Sequence, residues 1–335
     1  MTGFELYLKR NTPKMDDYLA TFFADGSHPD MSRYLYHPVA DFTATGGKRH
    51  RPLICMLACE AVGGDPGLAR PSAAAIEHFH TAALIHDDIE DASLTRRDEP
   101  CMHVTEGVGL AINAGDLALS LVTGTVVDDA GLDDATKLRV LKELVYMTTR
   151  TIEGQALDIG WARDDRFDLT IEDYLVMANH KTAYYSGAIP LAVGAIVGGG
   201  TEEQIAVLRA FGMAAGLAFQ IQDDVLNLVG TKEATKKDFR SDITEGKRTL
   251  VAIHALQHSA QRDRLLALLS SHTNDEAELE EAVAITREAG SIEFAEHYAR
   301  DIIFAAKGDL EAALPKSRAR GLLLSMADFF VKRSS

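Results

Sequence analysis

The sequence predicts an all-α fold, one large helical bundle spanning residues 1–335. Three observations carry that expectation. Apolar residues recur at three- and four-residue spacing through most of the chain, alternating β-branched runs bounded by turns are nearly missing, and helix-start chemistry recurs between the periodic stretches. In chain order, the helical period runs from Lys48 to Val62, Pro71 to His86, Val108 to Val127, Ala135 to Ala156, Thr170 to Val197, Thr201 to Val229, Leu250 to Leu269, Asn274 to Ala289 and Arg318 to Val331. Thr170-Ile-Glu-Asp173 and Thr201-Glu-Glu-Gln204 read as capping boxes, and Pro71-Ser72 and Asn274-Asp275 as further starts. Val122-Thr-Gly-Thr-Val-Val127 is the one weak strand candidate. The stretches Ser72 to His86 and Ala206 to Leu228 are apolar on more than one face, which places them centrally in the bundle. The 9 Pro are scattered, and Gly198-Gly199-Gly200 leads at once into the Thr201 start, so no linker separates domains.

Composition narrows the partners. With 34 Lys+Arg against 50 Asp+Glu the chain carries net charge −16, which disfavours nucleic acid and anionic membrane surfaces. The first ten residues lack the apolar core of a secretory signal, and no transmembrane segment is expected, Ala188 to Gly200 being short and glycine-laden. Three Cys, two of them four apart in apolar sequence, suit buried free thiols and a cytoplasmic location.

Polar groups on central helices need a reason. The first is His86-Asp87-Asp88-Ile89-Glu90-Asp91, at the end of a stretch without Lys or Arg. Asp87 and Asp91 share a helical face, where like charges repel unless a cation lies between them. Mg²⁺ suits the place, because it takes one or two carboxylates together with waters and phosphate oxygens. The second cluster, Phe219-Gln-Ile-Gln-Asp223-Asp224-Val-Leu-Asn227, repeats the design at the end of another apolar helix. Two such clusters point to a polyphosphate held through divalent cations. Clustered cations supply the other half: Gly46-Gly47-Lys48-Arg49-His50-Arg51-Pro52, then Arg96-Arg97, Lys181, Lys236, Lys237 and Lys247. Arg49 and Lys236 are expected to be solvated surface charges.

These residues, in this order from Gly46 to Thr249, resemble the trans-polyprenyl diphosphate synthase family, whose members condense allylic diphosphates with isopentenyl diphosphate. The resemblance implies the isoprenoid synthase bundle with a central substrate cavity. It also implies that Lys48, Arg51, His80 and Arg97 hold isopentenyl diphosphate, and that Arg96, Lys181 and Lys237 hold the allylic diphosphate. Asp87, Asp91 and Asp223 become the metal ligands, for Mg²⁺, three ions when diphosphate is bound. Thr182, Gln220 and Lys247 join the substrate-binding set, and Gln155 lies beside the reacting chain. The catalytic set is then Asp87, Asp91, Lys181, Asp223 and Lys237. A homodimer is implied in the same way.

The sequence departs from the family pattern at Asn227, where many members have Asp, at Arg240 and Asp98, where glycine is expected, and at Cys101, where threonine is. Residues one turn before Asp87 should line the cavity below the reacting carbon; here they are Ala82 and Ala83, with Phe79 one turn deeper and Leu117 and Leu121 as further lining candidates. The small pair favours geranylgeranyl diphosphate as product, with farnesyl or longer products as alternatives. A class I terpene cyclase would share the first cluster, but four-residue steps from Asn227 reach Thr231 and Thr235, not the carboxylate such a site needs. A metal phosphohydrolase built on His80 and His86-Asp87 leaves the second cluster unexplained. A non-catalytic subunit would be expected to have lost aspartates.

Overall fold

A computed structural model describes residues 1–23, 25–230 and 240–332. Its main helices are α1 Gly3–Ala20, α2 His37–Ala44, α3 His50–Ala61, α4 Arg70–Glu90, α5 Val108–Val127, α6 Asp134–Arg163, α7 Ile171–Ala178, α8 Ile189–Val197, α9 Glu202–Val229, α10 Leu250–His258, α11 Arg262–Ser270, α12 Glu276–Glu288, α13 Ser291–Ala313 and α14 Arg318–Lys332. The expected boundaries hold within a few residues for most of them, as helix ends usually allow. Both capping boxes are formed: Thr170 accepts from the Asp173 N–H and Thr201 from the Gln204 N–H, while the Asp173 and Gln204 side chains bond back.

Several features depart from expectation. Val122–Val127 is not a strand but the end of α5. A small antiparallel hairpin, β1 Thr95–Arg96 and β2 Glu99–Pro100, stands instead just after the first acid cluster. The run from Thr170 to Val197 is not one α-helix: residues Asn179–Ala188 form a π-helix between α7 and α8. The 18-residue α1, α2 and the 23-residue α13 lie outside every stretch picked by periodicity, and the run from Leu250 to Leu269 is broken between α10 and α11.

The chain divides into two compact units, each built from separated segments. The first comprises Met1–Tyr146, Ile189–Leu208 and Leu314–Leu323. In it α4 packs on α5 and α3 on α8 through small residues. A methyl added to Gly115 of α5 would strike the His86 ring, and one on Gly194 of α8 the carbonyl of Cys55, so glycine is what permits both approaches. Ile85, Ala111 and Ala114 belong to a cluster with Phe23, Val39 and Met102, and Leu117 and Leu121 pack on it.

The second unit comprises Met147–Ala188, Arg209–Ala313 and Leu324–Ser335. Here α10 packs against α11, α12 and α13. The π-helix lies so close to α9 that a methyl on Gly212 would strike Gly187, and one on Gly216 would strike Ala183.

Cys55, Cys59 and Cys101 are all buried free thiols. By length and composition α5 and α9 could each cross a membrane, which the sequence reading did not anticipate. Both carry carboxylates, Asp116 on α5 and Asp223 and Asp224 on α9, and 39% of the apolar stretch of α5 and 50% of that of α9 is buried inside the fold.

Candidate active site

In the first unit α4 ends at Glu90 and Asp91 caps it, its N–H bonded to the Asp87 carbonyl. Asp87, Asp88, Glu90 and Asp91 therefore crowd the negative end of a 21-residue helix with no basic residue in its last turn. Helix dipole and like-charge repulsion both oppose that placement and both favour a cation there. Arg96 provides one: its Nε donates to Asp88 Oδ1 at 2.7 Å and its Nη2 to Asp87 Oδ2 at 3.2 Å. Asp88 is buried, so the guanidinium anchors the cluster while Asp87 and Asp91 keep oxygen surface toward solvent. That set of hard oxygen donors fits Mg²⁺.

Arg96 is presented by the hairpin. Arg97 and Asp98, its two central residues, have φ of 55° and 69°, as a two-residue type I′ connection demands. Asp98 thus adopts the backbone for which glycine was expected, and Asp tolerates it better than most side chains. The turn sends Arg97 to the Gly46-Gly47 bend, where Nη1 donates to the Gly46 carbonyl and, at 3.2 Å, to Thr45 Oγ1.

Around that bend the cations collect. Arg51 is buried at the start of α3, with Nη1 3.1 Å from His80 Nε2 on α4. Lys48 is exposed. Burial, followed by the charges of Arg51, His50, Arg97 and Arg49, holds His80 well below the usual histidine range, so its imidazole is neutral. Burial and then Arg49 also pull the Arg97 guanidinium below its ordinary value. Such a crowd of cations is stabilised by an anion, and a diphosphate satisfies it.

Arg49 corrects an expectation. It is buried, not solvated, with Nε 2.7 Å from Asp16, Nη1 2.7 Å from Glu77 and Nη2 on the Thr43 carbonyl. Its left-handed backbone, φ 45°, turns the side chain inward ahead of α3. Of the chain-length set, Phe79 and Ala82 are buried and Ala83 is half-buried.

In the second unit Lys181 sits on the π-helix and pairs with Asp158 of α6. Its neighbour Thr182 donates to Gln220 Oε1 at 2.5 Å, and Gln220 Nε2 donates to Asp224 Oδ1 at 2.7 Å. Tyr174 of α7 completes the line, its hydroxyl 2.8 Å from Asp224 Oδ2. Burial first, then Asp242, raises Asp224 to about 7; burial raises Asp242 to about 6. Lys247 lies 2.7 Å from Glu245 and 3.8 Å from Asp242. Asp223 is half-buried on α9 beside this network. Lys236 and Lys237 lie outside the described residues.

Asn227 has a structural use here. Its amide donates to Ser241 Oγ and its oxygen accepts from the Asp242 N–H, tying the returning chain to α9. Arg240 stands just before with φ 60°, the left-handed backbone for which glycine was expected. Two residues escaped the sequence reading. Arg248 is buried, stacked on Phe167 and bonded to the Arg166 carbonyl, and Tyr174 looked like any apolar helix position.

Comparison with known proteins gives the family. Residues 32–286 match the family model described as polyprenyl synthetase. A short chain isoprenyl diphosphate synthase of Methanothermobacter thermautotrophicus is 43% identical over 328 residues, 97% of each chain. A geranylfarnesyl diphosphate synthase of Natronomonas pharaonis is 36% identical, over 86% of this chain and 87% of its own. Among solved structures, geranylgeranyl pyrophosphate synthetase from Pyrococcus horikoshii superposes with TM-score 0.90 at 34% identity, covering 98% of both chains. The chain therefore belongs to the polyprenyl synthetase family, shares its all-α fold and is a prenyltransferase.

Proposed function

We propose that this chain joins isopentenyl diphosphate to an allylic diphosphate and releases geranylgeranyl diphosphate. The observation that carries the reading is the split in the first unit: carboxylates facing outward at the end of α4, and beside them a crowd of Arg51, Arg97 and neutral His80 that calls for an anion of its own. The family generally uses Mg²⁺. Asp87, Asp91 and Asp223 are the residues that would hold it, three ions with diphosphate bound, and when present it supplies Lewis-acid charge against the leaving diphosphate.

The chain's own groups do the rest. Lys181, Lys237 and Arg96 neutralise charge as the allylic C–O bond ionises, a stabilisation made in the transition state. Lys48, Arg51, His80 and Arg97 hold the other diphosphate so that its double bond meets the allylic carbon, an advantage of positioning. Thr182, Gln220 and Lys247 support the allylic side. The C–O bond breaks to leave an allylic cation, the isopentenyl double bond adds to it to form the new C–C bond, and the proton lost from the adduct leaves with the diphosphate. Ala82 and Ala83 leave depth for twenty carbons, with Phe79 as floor. The enzyme is proposed to act in the cytoplasm, which suits three buried free thiols, and as a homodimer.

The test is incubation with Mg²⁺, isopentenyl diphosphate and dimethylallyl, geranyl or farnesyl diphosphate, then mass spectrometry of the dephosphorylated alcohols. A twenty-carbon alcohol that is lost with chelator, and reduced at least a hundredfold in Asp87→Ala, is the expected result. Twenty-five carbons would move the product to the geranylfarnesyl class; free phosphate or a cyclic hydrocarbon would overturn the reading.

A further inference from the structure

The continuous helical run of α7 and the π-helix is joined to α9 at two points. Thr182 bonds Gln220, and Tyr174 bonds Asp224. Gln220 closes the line by donating to Asp224, one turn further along α9. Lys181 lies between the two anchor points on one element, and Asp223 lies between them on the other. Each oxygen of the Asp224 carboxylate thus takes one protein hydrogen bond, Oδ1 from Gln220 and Oδ2 from Tyr174.

Tyr174 has no exposed surface and is among the largest fully buried side chains of the protein. A phenylalanine would fill the same volume, so what the hydroxyl adds is its bond to Asp224. A buried carboxylate deprived of such a donor is costly and relaxes by turning away. Groups that orient a ligand-bearing segment in this way typically matter tenfold to a hundredfold for metal affinity or activity.

We propose that Tyr174 is a positioning residue for prenyl transfer: through Asp224 it sets the register in which Lys181 and Asp223 face the allylic diphosphate. The inference rests on the reaction proposed above. It adds a residue that neither acid cluster nor any cation motif contains.

The experiment is a cycle of Tyr174→Phe, Asp224→Asn and the double variant, each assayed for prenyl transfer and for binding of inorganic diphosphate in the presence of Mg²⁺ by calorimetry. Tyr174→Phe is expected to lower kcat and diphosphate affinity about tenfold or more, with KM for isopentenyl diphosphate within about twofold of wild type, because that site uses other residues. The double variant should be no worse than Asp224→Asn alone, since the hydroxyl acts only through that carboxylate. Additive losses would overturn the inference, as would a variant with a lower Tm but wild-type kcat and diphosphate binding. Should Tyr174→Phe not fold, recovery of folding in the double variant supports the same coupling, and failure of both overturns it. Absence of prenyl transfer in the wild type would instead sink the underlying reaction, so the two failures are separable.

Discussion

Arg49 and Asp87 lie in equally charged stretches, yet only one was legible. Asp87, Asp88 and Asp91 announce themselves by local spacing: a helix end must place them together whatever the rest of the chain does. The partners of Arg49, Asp16 and Glu77, are 33 and 28 residues away, and no local pattern brings them to it. Because the Arg49–Glu77 pair is buried, removing one member leaves the other charge uncompensated, and Glu77→Ala is expected to cost about 3–5 kcal/mol in urea unfolding. A loss under 1 kcal/mol would show that the pair is dispensable. His78, next to Glu77, adds a pH dependence. Its ring meets Phe22 and Phe23 edge-on, and burial lowers it from 6.5 to about 4. Between those values the unfolded chain binds a proton that the folded chain refuses. The stabilisation is therefore complete above pH 6.5 and lost as pH falls toward 4, by roughly 3 kcal/mol. As pH falls over that interval the wild type should lose stability relative to His78→Leu by about that amount; a constant difference would exclude His78 as the group responsible.

Most helices were legible from their apolar stripes, although α1 was missed despite its Thr2–Glu5 capping box, while the hairpin and the π-helix are elements whose backbone is fixed by distant contacts. The hairpin that presents Arg96 and Arg97 turns on Arg-Asp, not on Asn-Gly or Asp-Gly, so its turn chemistry was silent. The π-helix likewise carries ordinary helical periodicity. Such wide turns are rare and gather at functional sites, and here three glycines on other elements make room for it: Gly154 on α6 against Lys181, and Gly212 and Gly216 on α9 against Gly187 and Ala183. The physical role of Gly154, just before Gln155, is to let the Lys181 backbone approach α6, where Asp158 pairs with the lysine. Gly154→Ala puts a methyl into that backbone. The expected outcome is destabilisation by about 1–3 kcal/mol and a drop of about tenfold or more in kcat/KM for the allylic substrate, read by steady-state kinetics. Wild-type kinetics in a folded Gly154→Ala protein would show that this glycine does not govern the placement of Lys181.

At the scale of the molecule, motif order from Gly46 to Thr249 made the family readable, while assembly was not, because an interface is defined by exposure and exposure is a property of the fold. On α6, Leu138, Val145 and Ile152 are 55%, 61% and 59% exposed, and Ile159 is exposed one further step on. These four lie seven residues apart, so they form one narrow stripe along the helix, the spacing of a helix–helix seam. Val108 and Ile112 of α5 are exposed as well. A two-fold interface must be complementary to itself. The α6 stripe meets that condition: it is symmetric about its midpoint, so an antiparallel copy of the helix would set Val145 against Ile152 and Leu138 against Ile159. Light scattering on a gel-filtration column is expected to return twice the 36.4 kDa chain mass for the wild type. The pair Val145→Glu and Ile152→Glu, which would place like charges opposite each other on the symmetric seam, is expected to return the single-chain mass. A variant that stays dimeric would move the interface off α6, and a wild type that runs as a single chain would remove the homodimer itself.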